Sequence, residues 1–173
     1  DKNALIDELN ALTAKVRQEY EQGKRLEPRP RILITGCPIG GAAEKVVRAI
    51  EENGGWVVGY ENCTGAKATE MQVNEEGDVY DALTDKYLAI GCSCISPNTQ
   101  RLNLLSQMID EYQADGVIDV ILQACHTYAV ESLAIKRHVR QQHDIPYMAI
   151  ETDYSNSDIG QLNTRVSAFI EMM

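Results

Sequence analysis

Residues 116–126, GVIDVILQACH, constrain the fold of this chain more than any other stretch. The first seven are mostly apolar and β-branched, which is typical of a strand covered on both faces, and such strands belong to parallel sheets. Ligands and reacting groups gather beyond the carboxyl ends of strands in these sheets. Cys125 follows the strand closely and therefore occupies a position where a site is expected, although a small buried cysteine is the common alternative.

Three further strands are indicated at residues 31–36, 56–60 and 147–151, and amphipathic or helix-like segments separate them. The predicted helices cover residues 4–20, 42–53, 78–90, 99–112, 129–142 and 159–172. Strands that alternate with helices predict an α/β fold, namely a doubly wound, four-stranded parallel sheet with helices on both faces, plus an N-terminal helix.

The N-terminal helix carries an apolar stripe that needs a covering partner, formed by Leu5, Ile6, Leu9, Leu12 and Val16. A segment with two prolines follows, so residues 1–30 are predicted to be an N-terminal helix and linker, and residues 31–173 an α/β domain. The chain begins with Asp rather than Met, and we expect it to be a piece of a longer protein.

The composition argues against several classes of function. The formal net charge is −10, which disfavours binding to nucleic acid or to an anionic membrane. The one basic cluster, residues 136–140, is interpreted as a solvated helix face. There is no run of 18 apolar residues and no signal-like N-terminus, so a cytoplasmic location is expected. Five cysteines at irregular spacing fit reduced thiols or metal ligands better than disulfides.

The carboxyl ends of the four predicted strands present soft and acidic side chains: Cys37, Glu61, Cys63, Cys125, His126, Glu151 and Asp153. Cysteines from separate loops can bind iron together, because a cluster needs ligands that converge in space rather than in sequence. Cys37, Cys63 and Cys125 are candidates for such convergence.

The first loop contains Gly36 and Gly40, which would let backbone N–H groups approach an anion at a helix N-terminus. It matches neither the P-loop nor the dinucleotide pattern, and a tight turn before a helix is the alternative. Cys92 and Cys94 lack the spacing of a zinc site and are more often two ordinary thiols.

The histidines are weaker candidates. His138 and His143 are expected to face solvent. His126 could cap a helix, or it could donate a hydrogen bond that supports Cys125. Glu151 and Asp153 could bind a cation or a substrate hydroxyl, but capping of the last helix by Asp153 or Ser155 is an equal competitor.

Several motifs taken in order resemble a known family. They are ITGCPI at 34–39, ENCTG at 61–65, CSC at 92–94, YQADGVI at 112–118, QACH at 123–126 and IPYMAIETD at 145–153. From residue 31 to residue 173 the chain resembles the C-terminal half of the 2-hydroxyacyl-CoA dehydratase α/β subunits, which are related to benzoyl-CoA reductase subunits. Residues 31–173 are then expected to be the C-terminal α/β domain of a longer subunit.

The resemblance implies one [4Fe-4S] cluster in each subunit, held by two cysteines of an N-terminal domain and one of the C-terminal domain. The motif match places this third ligand at Cys125, and Cys37, Cys63, Gly36 and Gly40 are further candidates for cofactor binding. The implied partners are the subunit's own N-terminal domain, a second dehydratase subunit, an ATP-hydrolysing activator and an acyl-CoA.

The mechanism implied by the resemblance passes one electron from the activator through the cluster to a thioester carbonyl, after which a ketyl radical expels the hydroxyl as water. Residues 1–173 alone are then expected to lack the cluster and to be inactive. We also expect Cys125 to be exposed or half-exposed at the carboxyl edge of the sheet.

Two rival hypotheses belong to other classes. A non-catalytic, flavodoxin-like or receiver-like module is disfavoured, because the central strand ends in cysteine instead of a phosphorylatable Asp. A thiol-redox protein would use Cys92 and Cys94 as a reversible pair.

Overall fold

The computed structural model describes residues 1–38 and 40–173, so that Ile39, part of the motif at 34–39, lies outside the described residues. The predicted fold class is confirmed, because four parallel strands form one sheet in the order β2-β1-β3-β4. The strands are β1 (Arg31–Gly36), β2 (Trp56–Tyr60), β3 (Gly116–Leu122) and β4 (Tyr147–Thr152). The helices are α1 (Lys2–Glu21), α2 (Gly41–Glu52), α3 (Ala66–Thr69), α4 (Val79–Leu88), α5 (Thr99–Glu111), α6 (His126–His138) and α7 (Ile159–Ile170).

Helices cover both faces of the sheet. Ile32 and Ile34 of β1 pack into one apolar cluster with residues of α2 and α7, whereas Leu33 packs into a second cluster with residues of α5 and α6. This alternation is the period of two expected of a strand. All three side chains are fully buried, and burial of each contributes roughly 1.5–3 kcal/mol relative to exposure.

Helix α6 differs from its prediction at both ends. It begins at His126 rather than near residue 129, because polar residues in its first turn hide the start from an apolar pattern. Cys125 is therefore its N-cap residue. The predicted α-helix to residue 142 is wrong in type beyond His138, since Val139–His143 forms a π-helical turn that closes on Asp144 in the left-handed conformation. The four-residue α3 was not predicted, because it is too short to show a period.

Helix α1, all of whose residues are described, buries none of them. Its apolar stripe is open to solvent, with Leu5 57% and Leu12 57% exposed. The linker that follows it contacts the edge of the sheet, since Trp56 Nε1 donates to the Glu27 carbonyl at 2.9 Å and the Arg29 guanidinium lies 4.5 Å from the centre of the Trp56 ring. Within the described part of the chain, no helix has both the length and the apolar character needed to span a membrane.

Candidate functional site

The centre of the sheet contains a topological switch point. The chain leaves β1 toward β2 on one side and leaves β3 toward β4 on the other, while β1 and β3 are neighbours. Loops that diverge in this way open a crevice at the carboxyl ends of the strands. Cys37 follows β1 and donates its backbone N–H to the Val120 carbonyl of β3 at 2.7 Å. The two cysteines that follow β1 and β3 therefore flank the crevice.

Cys125 is half-buried at this edge, which confirms the prediction about its exposure. The turn that presents it includes Ala124 with φ 65°, a left-handed conformation that is uncommon for a residue other than glycine. Cys125 Sγ lies 3.6 Å from Thr127 Oγ1, and Ser93 Oγ donates to the same hydroxyl at 3.3 Å. The loop before α5 thus reaches the start of α6.

Four thiols influence one another at the crevice. Burial raises the pKa of Cys37 to about 11, and the charge of a Cys125 thiolate adds to this effect. A hydrogen bond with Cys92 raises the pKa of Cys94, and Cys125 again contributes. Cys63 contacts a different side chain, because its Sγ is 3.4 Å from the Tyr128 hydroxyl. In the described part of the chain, no group of three or more His, Cys, Asp or Glu is arranged to hold a metal ion.

The two glycines of the first loop have different roles. Gly36 has φ +107°, and a Cβ at this position would lie 2.2 Å from the Val120 carbonyl oxygen and 2.6 Å from Asp119 Oδ1. Only glycine fits such an approach of β1 to β3. Gly40 is the N-cap residue of α2, and a Cβ there would meet nothing within 4 Å. Among the described residues outside the immediate chain neighbours, none therefore occupies the space beside Gly40 at the N-terminus of α2.

A buried network of charged side chains supports the floor of the crevice, with Arg101 of α5 at its centre. Arg101 Nε donates to Glu61 Oε2 at 3.3 Å, and Arg101 Nη2 donates to Thr35 Oγ1 at 2.8 Å. Its Nη1 donates to Glu131 of α6. Lys67 Nζ lies 3.0 Å from Glu61 Oε1. Arg101, Glu61 and Lys67 side chains are at most 1% exposed, so the network links β1, the loop after β2, α5 and α6 away from water.

The network holds more carboxyl groups than cations. Arg101 and Lys67 face Glu61, Glu131 and Asp119, whose Oδ1 lies 3.9 Å from Arg101 Nη2. Burial raises the pKa of Asp119, although Arg101 and a hydrogen bond from Tyr147 oppose the rise. Burial alone would lower the pKa of Arg101, but the three carboxylates raise it above its usual value. The surrounding carboxylates therefore favour the charged form of Arg101.

Sequence reasoning singled out Glu61 but missed Arg101, Lys67, Asp119 and Glu131. One signal was present: Asp119 is the one charged residue within an otherwise apolar strand, and a charge at such a position needs a buried partner. Nothing in the sequence indicates that Arg101 is this partner, because it lies near the start of an ordinary amphipathic helix.

The remaining predicted residues lie outside this network. Glu151 is exposed, and Asp153 Oδ1 accepts from the Ser155 backbone N–H at 2.8 Å. The prediction that Asp153 or Ser155 caps the last helix is wrong, since the N-cap residue of α7 is Asp158. His126 is the exposed first residue of α6.

The prediction of solvent-facing histidines is also wrong. His138 and His143 are half-buried, because both rings contact the hydroxyl of Ser106 on α5.

A groove of about 680 Å³ opens beside the crevice, between the loop after α4 and helix α6. Its lining includes Cys94 and also His126, which directly follows Cys125. Apolar side chains form much of its lining: Ile95, Pro97, Leu102, Val130 and Ala134. The groove can receive an apolar group whose polar end lies near the thiols.

Together, the fold and the crevice define a doubly wound α/β protein with a thiol-bearing switch point. The family model of 2-hydroxyglutaryl-CoA dehydratase, D-component, matches residues 1–173, and the chain belongs to this family of dehydratase subunits. The predicted family is thereby confirmed. The match also includes α1, which the resemblance between residues 31 and 173 had left out.

Three relatives illustrate the family. The chain is 83% identical over its whole length to "Putative dehydratase subunit YjiM" of Escherichia coli (strain K12), covering 45% of that protein. It is 27% identical to the (R)-phenyllactyl-CoA dehydratase beta subunit of Clostridium sporogenes, over 99% of this chain and 46% of that one. It is 25% identical to a benzoyl-CoA reductase subunit of Thauera aromatica, over 76% of this chain and 30% of that one. The chain spans less than half the length of these relatives.

Proposed function

We propose that this chain serves a dehydratase that removes water from a hydroxyacyl-CoA by radical chemistry, and that Cys125 supplies one thiolate ligand of a [4Fe-4S] cluster. The observation that carries the proposal is the position of Cys125, half-buried at the switch point as the N-cap residue of α6. Membership in a family of dehydratase subunits supports dehydration as the reaction class.

The donor set at the crevice fits such a group. Thiolates are the usual protein ligands of iron–sulfur clusters, and Cys125 is partly open to the space beyond the sheet. When bound, the cluster supplies single-electron chemistry. The remaining ligands are proposed to come from a part of the subunit that the longer relatives have outside the matched region.

The residues of this chain then position and shield the reacting groups. The buried network around Arg101 joins α5, which follows the loop at residues 91–97, to α6, which begins directly after Cys125. Cys125 is thereby fixed relative to the groove. Side chains held by buried charged hydrogen bonds lose little further freedom when a ligand binds, which favours preorganisation.

The groove beside Cys94 is proposed to hold the acyl part of the substrate. One relative is named for (R)-phenyllactyl-CoA, whose acyl group carries an aromatic ring. The apolar lining formed by Leu102, Val130 and Ala134 would bury such a ring. The thioester end would then lie toward Cys125 and the switch point.

Further partners follow from the same proposal. The dehydratase and reductase relatives are each named as one subunit of an enzyme, which supports a second subunit here as well. An ATP-hydrolysing activator is proposed as the electron source.

The test is to express the complete reading frame that contains these residues without oxygen and to measure iron, acid-labile sulfide and the visible absorption of the cluster. Cys125→Ser is expected to lose iron. Cys63→Ser is the matched control and is expected to retain it, because the Cys63 sulfur lies against Tyr128. Retention of iron and activity by the Cys125→Ser protein would contradict the assignment.

The thiol-redox alternative is supported by the interaction between the thiols of Cys92 and Cys94. The same interaction raises the pKa of Cys94, and a thiol of raised pKa is a poor attacking group at neutral pH. The test is to expose the protein to a mixture of reduced and oxidised glutathione at a physiological ratio and to examine it by mass spectrometry. Formation of a Cys92–Cys94 disulfide, detected as the loss of two hydrogen atoms, would favour this role.

A further inference from the structure

A second group of titratable side chains lies away from the crevice, between α5 and the π-helical turn. Ser106 Oγ is 2.6 Å from His138 Nε2 and 2.8 Å from His143 Nε2. The two imidazole rings are 6.0 Å apart, centre to centre, and inclined by 63°. Two ring nitrogens from different turns therefore converge on a single oxygen atom.

The π-helical turn creates this convergence. Residues five apart lie on well separated faces of an α-helix, which has 3.6 residues per turn. The wider π-helical turn at Val139–His143 brings His143 to the same face as His138. π-Helical turns are rare in proteins, and those that occur often lie at functional sites.

A carboxylate lies behind one of the rings. Asp110 Oδ1 is 3.4 Å from His143 Nδ1, so the proton of that ring is favoured on Nδ1 and the lone pair of Nε2 faces Ser106. A carboxylate on the outer nitrogen of an imidazole is the arrangement that orients histidines in zinc sites.

We propose that His138 and His143 form a binding site for a divalent transition metal such as zinc. Ser106 and water complete the coordination, and Asp110 orients the ring of His143. The two imidazoles are the protein's nitrogen ligands. No cluster of three or more His, Cys, Asp or Glu ligands exists in the described residues, so this is a two-histidine site and binds zinc reversibly. The exposed Arg137 and Arg140 add positive charge to the surroundings and weaken the site further.

The test is a zinc titration of the whole 173-residue chain, followed by nuclear magnetic resonance of the imidazole nitrogens. The chain has three histidines, so each ring gives an assignable signal. We expect one equivalent of Zn²⁺ to move the Nε2 signals of His138 and His143 together. Zinc bound by the thiols at the crevice would instead move His126, which adjoins Cys125.

Four variants test the proposed role of each residue. His138→Gln and His143→Gln are expected to abolish the coupled shift, whereas His126→Gln leaves it unchanged. Asp110→Asn is expected to weaken zinc binding about 10- to 100-fold. Circular dichroism of each variant checks that the fold is retained.

Zinc that leaves both signals unmoved, or that binds the His143→Gln chain as tightly as the parent, would overturn the site. Neither result depends on Cys125, so this inference fails or stands separately from the proposed function.

Discussion

Arg101 and Glu61 form an ion pair in which both side chains are fully buried, with Arg101 Nε 3.3 Å from Glu61 Oε2. The pair joins α5 to the loop after β2, two segments 40 residues apart in the chain. A buried ion pair is not by itself a large source of stability, because both ions lose their hydration. Removing one partner is a different matter, since the other ion then remains buried alone.

Arg101→Met is therefore expected to destabilise the protein strongly. The substitution leaves Glu61 and Asp119 with Lys67 as the remaining cation, and an uncompensated buried charge costs about 3–5 kcal/mol. Urea denaturation measures the change in the free energy of unfolding. Arg48→Met is the matched control: Arg48 makes an exposed pair with Glu44, and its loss should change stability by no more than about 0.5 kcal/mol. Equal effects of the two substitutions would contradict the central role of Arg101.

Gly36→Ala is expected to distort the contact between β1 and β3. The backbone conformation of Gly36 alone costs an alanine roughly 1–3 kcal/mol, and the overlap with the Val120 carbonyl oxygen adds to this. Thermal unfolding measures the loss. Gly160→Ala provides the opposite case, because Gly160 lies in α7 with open space around it. Alanine there should stabilise the helix by about 0.5–1 kcal/mol. A Gly36→Ala protein as stable as the parent would show that β1 and β3 can separate without cost.

The strands and the position of Cys125 could be predicted from the sequence, because apolar β-branched runs and the general rule for parallel sheets are local signals. The buried network could not be predicted. Arg101 and Glu131 lie on helices whose apolar pattern is ordinary, and their pairing depends on how those helices pack. His138 and His143 were misjudged for a related reason: a π-helical turn changes which residues share a face, and it leaves no clear mark in the sequence.

The five thiols are expected to react with iodoacetamide at different rates. Cys63 and Cys94 are exposed and Cys125 is half-buried, whereas Cys37 is 1% exposed in the core. At pH 8 Cys37 should therefore react only when the protein opens, and its rate should track urea concentration. Peptide mass spectrometry over time measures the order, and the urea-unfolded chain, in which all five thiols are open, is the control. A Cys37 thiol that reacts as fast as Cys125 would show that the crevice opens readily.

The same thiol makes stability depend on pH in the alkaline range. The pKa of Cys37 is raised by burial, and then by Cys125, from 9.0 to about 11. Between these values the unfolded chain releases the Cys37 proton while the folded chain keeps it, so the unfolded state binds fewer protons and stability falls as pH rises. The contribution is complete below pH 9 and is lost as pH rises through about 11. Tyr60, Tyr128 and Tyr147, whose pKa values burial also raises, titrate in the same direction.

Comparison with Cys37→Ala separates the cysteine from the tyrosines. The difference in unfolding free energy between the parent and this variant should be constant from pH 7 to about 9 and should then shift against the parent up to about pH 11. Urea denaturation at fixed pH values measures it, with Gly160→Ala as a control that removes no titratable group. A difference that stays constant across the whole range would mean that Cys37 ionises as easily in the folded chain as in the unfolded one. The crevice would then hold its thiols in water rather than in the core.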